Sequence, residues 1–163
     1  MWQEEIEREV RRNGVRLAVE RGNVPLSDAE AGMDHALVQM NSAFPDARLP
    51  TGLWGPLVPG MTNEPKDRHV MAAAVRARAT HVVTSNLRDF PPGSSPTGMR
   101  VVHPDVFLLD RLAHDPELVI SAVRAMARRH RRPAHTVEQL AELMAEGELI
   151  PGFGKRLREL VLP

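Results

Sequence analysis

The sequence predicts an α/β domain followed by an all-helical C-terminal segment. Helical and strand patterns alternate between residues 65 and 109. The two strand patterns in this region are short, β-branched and flanked by turn residues, as is typical of buried strands. From Asp110 onward the sequence carries helical patterns and no strand signal. Alternation of this kind favours right-handed crossover units and a parallel sheet with helices packed against it.

The first 65 residues predict two helices and little sheet. Residues 2–20 place apolar side chains among charged positions at helical spacing, so we expect a helix there. The run Ser27-Asp28-Ala29-Glu30 has the form of a capping box and predicts a second helix that ends before Pro45. Residues 45–65 are rich in Pro and Gly, and the apolar run 53–58 allows at most one short strand.

The alternating region begins with a helix that Pro65 and Asp67 open. Strong helix formers occupy residues 68–78, and three successive alanines allow close packing. Strands are expected at residues 81–84 and 99–102, separated by a Pro/Gly/Ser loop. A short helix should start at Pro104 and reach residue 109.

Three further helices are expected after residue 110. The first is capped by Asp115 and runs to about residue 132, and the second is capped by Thr136 and ends at Gly147. The third follows Pro151 and runs to residue 162. The sequence therefore predicts an α/β domain at residues 1–109 and a helical extension at residues 110–163.

Composition excludes several classes of function. The chain has no cysteine, which excludes disulfides, thiolate metal sites and cysteine nucleophiles. Its 21 basic and 21 acidic residues balance, so there is no overall charge that attracts nucleic acid. No apolar run approaches the ~20 residues of a membrane span, and the N-terminus does not read as a signal peptide. We expect a cytoplasmic protein that does not bind membranes.

Oxygen-bearing side chains stand where an α/β sheet forms ligand sites. Asp67 begins a helix, and Asn86 and Asp89 follow the first predicted strand of the alternating region. Ligand sites lie beyond the carboxyl ends of parallel strands, and oxygen ligands suit a hard cation such as Mg²⁺ or Mn²⁺. The spacing alone allows another interpretation, in which Asp67 caps its helix and Asp89 forms a turn.

A basic stretch in the helical segment is a candidate RNA-binding surface. Arg124, Arg128 and Arg131 share one face of a predicted helix, opposite its apolar face. Such a face can bind the phosphate backbone of a nucleic acid. It can equally be the solvated end of a helix whose cations lie favourably at its C-terminus. His69 and His81 are interpreted as packing residues rather than metal ligands.

Three blocks of the sequence together resemble the C-terminal half of a PIN domain. They are the runs Asp67–Ala74, Val82–Pro91 and His103–Leu108. Residues 2–13 resemble the early helix of that family, and the segment 115–160 is similar to the helical extension of one bacterial subgroup. PIN domains are metal-dependent ribonucleases typical of VapC-type toxins. The resemblance implies an incomplete PIN-like parallel sheet flanked by helices, with an all-helical C-terminal extension.

The resemblance also implies a set of site residues. Glu9 would be the acid carried by the early helix, and Asp67 the acid at the start of the later one. Asn86 and Asp89 would fill the two positions after the strand. Thr84 would be a supporting hydroxyl, and Glu64 would be an additional acid. These residues would hold Mg²⁺ or Mn²⁺ for hydrolysis of RNA phosphodiester bonds.

One departure from the family pattern changes the expected activity. The family's first strand, which ends in a metal-binding Asp, is not found in this sequence, so we expect an N-terminally truncated PIN domain with a weakened metal site. Its uncovered sheet should lead to homo-oligomers or require a complementing N-terminal peptide, and an antitoxin is a further expected partner. Two hypotheses follow. The chain is an impaired ribonuclease, or it is an inactive PIN remnant that forms oligomers or binds an antitoxin.

Overall fold

The computed structural model describes residues 1–22, 24–129 and 135–162, which form short strands and predominantly helices. The elements are, in chain order, β1 (Trp2–Gln3), α1 (Glu4–Gly22), α2 (Leu26–Ala43), β2 (Arg48–Leu49), α3 (Thr51–Trp54), α4 (Arg68–Arg76), β3 (His81–Val83), β4 (Arg100–Val102), α5 (Pro104–His114), α6 (Pro116–Arg129), α7 (Val137–Glu146) and α8 (Pro151–Val161). Short 3₁₀ segments occupy Pro45–Ala47, Gly55–Gly60, Pro65–Asp67 and Leu87–Asp89.

The chain separates into two compact units. The first comprises Met1–Val82 and Asp89–Met99, and the second Val83–Arg88 and Arg100–Pro163. The described strands form two separate pairs, β1 with β2 and β3 with β4. The α/β character and the helical C-terminal segment agree with the expectation from the sequence. The domain limits 1–109 and 110–163 stay a prediction.

The N-terminal residues form a strand where the sequence predicts helix. Trp2 and Gln3 pair in parallel register with Arg48 and Leu49. The indole N–H of Trp2 lies 3.1 Å from a carboxylate oxygen of Glu7 and 3.0 Å from the side-chain oxygen of Asn41. These tertiary hydrogen bonds hold the first residues extended, and α1 therefore begins at Glu4. The helix prediction was wrong at residues 2 and 3 because it considered only local spacing.

Helix α2 begins earlier than its apparent capping box. Pro25 is its N-cap residue, and the Ser27 hydroxyl donates to the neighbouring Asp28 carboxylate at 3.3 Å instead of capping. A proline with its φ fixed near −54° is already set for a helix start, so the first turn forms before Ser27. The predicted stop before Pro45 is confirmed, because α2 ends at Ala43.

The Pro/Gly-rich segment contains a strand, but not where the sequence placed it. The strand is β2 at Arg48–Leu49, and the apolar run 53–58 instead forms part of α3 and the 3₁₀ turn after it. Trp54 buries its ring against Ala72 and Ala73 of α4, and these residues form the core cluster of the first unit. Packing of the tryptophan on small alanines therefore determines the conformation of this segment.

The second unit is built from four helices and the end of β3 with β4. Backbone pairing includes the N–H of Thr84 donating to the carbonyl of Val102 at 3.0 Å. The predicted strands and helices are confirmed for the described residues, with α5 running past residue 109 to His114. The predicted helix end near residue 132 lies outside the described residues, and α6 is described to Arg129. The core cluster combines side chains from α5, α6, α7 and α8, namely Leu112, Val123, Leu140, Ala141, Phe153 and Leu157.

Two local features fix the helices of the second unit. The predicted cap of α7 is present as a full capping box, in which Thr136 and Gln139 each accept the other's backbone N–H. The carboxylate of Asp105 in α5 accepts the backbone N–H groups of Gly152 at 3.1 Å and Phe153 at 2.7 Å. A carboxylate at this position satisfies the free donors of the first turn of α8.

No helix in the described parts of the chain is both long and apolar enough to cross a membrane.

Candidate functional site

A short loop before α4 positions the central carboxyl groups. Asn63 is 1% exposed and anchors the loop, and residues 65–67 form a 3₁₀ turn. The backbone N–H of Glu64 donates to the carbonyl of Asp89 at 3.0 Å. This bond ties the loop to the chain segment that carries Asp89. It therefore brings the side chains of Lys66 and Asp67 to the Asp89 carboxylate.

Asp67 occupies the N-cap position of α4 without acting as a cap. Its side chain makes no capping hydrogen bond to the helix. Burial raises the pKa of Asp67 above its usual range, and a hydrogen bond between the side chains of Asp67 and Asp89 raises it further. The charges of Asp89 and Glu9 act in the same direction, and the nearby Lys66 opposes them. Of the two interpretations that the spacing left open, capping by Asp67 is not what the structure shows.

Asp89 is the most enclosed carboxylate of the group. Its side chain is 11% exposed, and an oxygen of it lies 2.7 Å from the Nζ atom of Lys66. The Lys66 side chain is 62% exposed, so only its charged end reaches the site. The hydrogen bond to Asp89 raises the pKa of Lys66. The centre is thus a pair of adjacent carboxyl groups with one ammonium at its edge.

Glu9 lies in α1, is half-buried, and belongs to the same unit as Asp67 and Asp89. Its charge acts on Asp67, which places a third carboxylate within electrostatic range of the pair. Among the described residues, however, no group of three or more His, Asp or Glu side chains is arranged to hold a metal ion. The donor chemistry of the Asp67–Asp89 pair fits a hard divalent cation, while Glu9 does not complete a three-ligand group.

Two further site residues named from the sequence, Thr84 and Asn86, lie in the second unit. The hydroxyl of Thr84 accepts the backbone N–H of Asn86 at 3.1 Å, which makes Thr84 a support for the turn after β3. The side-chain oxygen of Asn86 accepts Nε of Arg88 at 3.2 Å. Glu64 belongs to the first unit, has an exposed side chain and contributes its backbone to the site loop.

Sequence reasoning missed the contribution of Lys66. The residue lies directly before Asp67, and this adjacency to a candidate ligand was the available signal. What the sequence could not show is the contact with Asp89, because that contact depends on how the 3₁₀ turn at residues 65–67 is folded.

The basic face of α6 adjoins a surface cavity in the second unit. Arg124 and Arg128 help to line a cavity of about 350 Å³, together with Ala127, His135, Thr136, Val137 and Glu138. Thr136 lowers the pKa of Glu138 through a hydrogen bond, and the charge of Arg124 contributes. The cavity is therefore cationic with one carboxylate at its edge. Arg131, the third arginine of the predicted surface, lies outside the described residues.

His69 contacts an aromatic ring, and His81 contacts a hydroxyl group. The His69 ring packs near the Trp54 ring with a centroid separation of 6.4 Å. His81 Nδ1 lies 3.0 Å from the hydroxyl of Thr80.

Comparison with known proteins gives two matches. The family model described as "VapC50 C-terminal domain" matches residues 104–159. The curated protein "Putative ribonuclease VapC50" of Mycobacterium tuberculosis is 39% identical over 105 residues, which cover 64% of this chain and 61% of the relative. No solved structure matches the chain significantly.

The two matches differ in length. The family model covers α5 to α8, the helical segment after the candidate site. The curated match is longer than that segment, so it extends the likeness beyond the helical extension. Together they show that this chain is similar to that relative and that its helical segment is similar to the C-terminal domain of the VapC50 family model.

Proposed function

We propose that the chain is a metal-dependent ribonuclease of the VapC toxin type, in which Asp67 and Asp89 hold Mg²⁺ or Mn²⁺ and Glu9 adds its negative charge at longer range. The observation that carries this proposal is the pairing of the Asp67 and Asp89 carboxyl groups. Two adjacent carboxylates repel each other and, where buried, lose hydration. Perturbed acids of this kind cluster at functional sites. A divalent cation relieves the repulsion by accepting both oxygens as ligands.

In this proposal each residue of the site has a distinct role in holding the metal ion or in shaping the site. Asp89, the more enclosed carboxylate, fixes the ligand position, and Asp67 is held beside it by the loop that Glu64 ties down. Thr84 and Asn86 shape the turn after β3, and Glu64 is a peripheral acid. When bound, the metal lowers the pKa of a water molecule and neutralises charge on the phosphate oxygens.

The proposed RNA-binding surface is the basic face of α6. Arg124 and Arg128 line the cavity described above, and Arg131 follows on the same face of the sequence pattern. Arginine suits phosphate because its guanidinium forms two parallel hydrogen bonds. Binding to this surface should weaken as salt concentration rises, since phosphate contacts release counterions.

We also propose that activity of this chain is low without a further ligand. A pair of carboxylates with Glu9 at longer range offsets less of the cost of dehydrating Mg²⁺ than a closed set of ligands would. A strand-borne Asp, supplied by another segment or polypeptide, would complete the site. An antitoxin is the other partner that this type of toxin implies, and the cytoplasm is the expected compartment.

RNA cleavage tests the proposal directly. A labelled structured RNA is incubated with the chain and an excess of Mn²⁺, and a parallel reaction contains a chelator, which should stop the cleavage. Asp89→Asn should reduce cleavage by about a hundredfold or more, because it removes a ligand. Asp110→Asn, an exposed acid of α5, is the matched control and should leave cleavage unchanged. Equal cleavage by both variants would overturn the proposal.

The dependence on a further ligand has its own test. A peptide that carries an apolar strand ending in Asp is added to the chain, and the cleavage rate is compared with that of a peptide ending in Asn. We expect a higher rate with the Asp peptide alone. Strong cleavage by the chain without peptide, abolished by Asp67→Ala, would show that the described carboxylates suffice.

A second function is supported by a different observation. No three-ligand group is found among the described residues, which fits an inactive PIN remnant that forms oligomers or binds an antitoxin. The two functions differ in one measurable respect. A remnant would bind its partner equally well after Asp67→Asn and Asp89→Asn, and neither variant would change RNA cleavage.

A further inference from the structure

We propose that Lys66 is a tethered cation that competes with the divalent metal for Asp89 and so raises the metal concentration at which the site fills. This inference rests on the proposed function, because it takes Asp67 and Asp89 as the metal ligands. It adds a role for a residue that belongs to no ligand set and that neither the sequence patterns nor the comparisons assign.

The geometry places the ammonium where a metal ion would approach. Lys66 Nζ lies 2.7 Å from an oxygen of Asp89, close to the ~2.0–2.6 Å that separates a divalent cation from a carboxylate oxygen. The Asp89 side chain is only 11% exposed, so few directions of approach remain open. Two cations that share this oxygen would repel each other strongly at such separation. The ammonium and the metal therefore compete for this oxygen of Asp89.

The Lys66 ammonium can move away from Asp89 into solvent. It is 62% exposed, and its flexible stem can turn the ammonium into solvent while the backbone stays in the 3₁₀ turn at residues 65–67. Because one partner of the ion pair is exposed, the pair is worth little and a metal ion can displace the ammonium. In the metal-free chain the ammonium offsets part of the repulsion between Asp67 and Asp89.

Titration calorimetry with Mn²⁺ tests this competition on the full chain. Lys66→Met removes the ammonium and keeps the stem, and should bind Mn²⁺ roughly three- to tenfold more tightly than the unsubstituted chain. Lys155→Met is the matched control, since Lys155 is the other lysine of the sequence and is exposed in α8 of the second unit. Its affinity for Mn²⁺ should equal that of the unsubstituted chain.

A second readout covers loss of folding. The thermal midpoint of Lys66→Met without metal should be equal to or below that of the unsubstituted chain, and Mn²⁺ should raise it more than it raises the unsubstituted chain. A purely structural role of Lys66 would lower the midpoint and leave the metal-induced rise unchanged, which would overturn the inference.

Asp67→Asn separates failure of this inference from failure of the proposed function. Mn²⁺ binding that Asp67→Asn abolishes but Lys66→Met leaves unchanged or weakens would overturn the competition and leave the metal site standing. Absence of Mn²⁺ binding in the unsubstituted chain and in Lys66→Met would overturn both.

Discussion

At Asp67 the chain accepts a local cost in stability. The carboxyl group is half-buried beside a second carboxyl group, and it makes no capping bond to the helix that it precedes. An aspartate at this position usually stabilises a helix through its side chain. Forgoing that stabilisation is typical of residues whose position serves a site rather than the fold.

Asp67→Asn should therefore raise the stability of the metal-free chain near neutral pH. Because the pKa of Asp67 is raised in the folded state, the folded chain binds a proton that the unfolded chain has released wherever the pH lies between the two pKa values. This stabilisation is complete below the ordinary value of 3.8 and is lost as pH rises through the folded pKa. The amide, which has no charge, should raise the thermal midpoint by roughly 2–4 °C at neutral pH.

A thermal melt at two pH values checks this expectation. The difference between Asp67→Asn and the unsubstituted chain should disappear at low pH, where the Asp67 carboxyl group carries a proton in both the folded and the unfolded state. Glu64→Gln, an exposed acid in the same loop, is the control and should move the midpoint little at either pH. A lower midpoint for Asp67→Asn at neutral pH would contradict the account.

The pairing of Asp67 with Asp89 illustrates what the sequence could predict at this scale. Both residues follow from the family pattern and from their places at a helix start and after a strand. The sequence could not decide between ligand and cap for Asp67, because both roles require the same residue at the same position. The sequence also could not predict the contact between Lys66 and Asp89, since that contact depends on backbone geometry in a single 3₁₀ turn.

At the level of secondary structure, Glu7 of α1 connects this helix to β1, to β2 and, through the Trp2 indole, to α2. Its carboxylate accepts hydrogen bonds from the indole N–H of Trp2 in β1 and from two guanidinium nitrogens of Arg48 in β2. The side-chain oxygen of Asn41 in α2 accepts the same indole N–H. The side chain of Glu7 is 12% exposed. The hydrogen bond from Arg48 is the largest cause that lowers the pKa of Glu7.

Glu7→Gln should lower the free energy of unfolding by about 1–2 kcal/mol at neutral pH, discounted for the exposure of Arg48. A lowered folded pKa contributes stability that is present above the ordinary value of 4.5 and is lost as pH falls through the folded pKa. Urea unfolding at pH 7 and pH 3 measures the difference. Glu20→Gln, which removes an exposed pair with Arg16, should cost under about 0.5 kcal/mol, and an equal cost for both would contradict this role.

The crossing of α7 and α8 depends on Gly154. A Cβ atom at this position would lie closer than any real contact to the backbone of Ala145. Gly154→Ala should lower the free energy of unfolding by about 2–3 kcal/mol, because backbone atoms must move apart. Gly32→Ala, inside α2 with nothing within 4 Å of its Cβ position, should instead raise it by about 0.5–1 kcal/mol. Chemical unfolding measures whether Gly154→Ala lowers and Gly32→Ala raises the free energy of unfolding.

Element boundaries show why local patterns were only partly sufficient. Thr136 and the helices after it were predicted correctly, because capping chemistry and amphipathic spacing agree there. Trp2 and Gln3 were assigned to a helix, since nothing local announces the indole hydrogen bonds that hold them in a strand. Ser27 carries a capping signature that Pro25 overrides.

For the whole molecule, exposed apolar side chains in the first unit favour self-association. They lie on α1, on α2 and just beyond it, and include Val10, Leu17, Val19, Val38 and Phe44. Exposed apolar surface of this kind marks interaction sites, and closed two-fold symmetry avoids open-ended pairing. We expect a dimer or a dimer of dimers at micromolar concentration. Light scattering behind a sizing column checks this, and a monomer of 18.1 kDa would contradict it.

We propose the Asp67–Asp89 pair as the metal centre of the chain. Paramagnetic broadening by Mn²⁺ in an amide-resolved NMR spectrum locates the bound ion, because broadening falls steeply with distance from it. At substoichiometric Mn²⁺, the amide signals of residues 64–68 and 89–90 should broaden first, and Asp67→Asn should remove the effect. Broadening that starts at the acidic residues of α7, or that Asp67→Asn leaves unchanged, would contradict the claim.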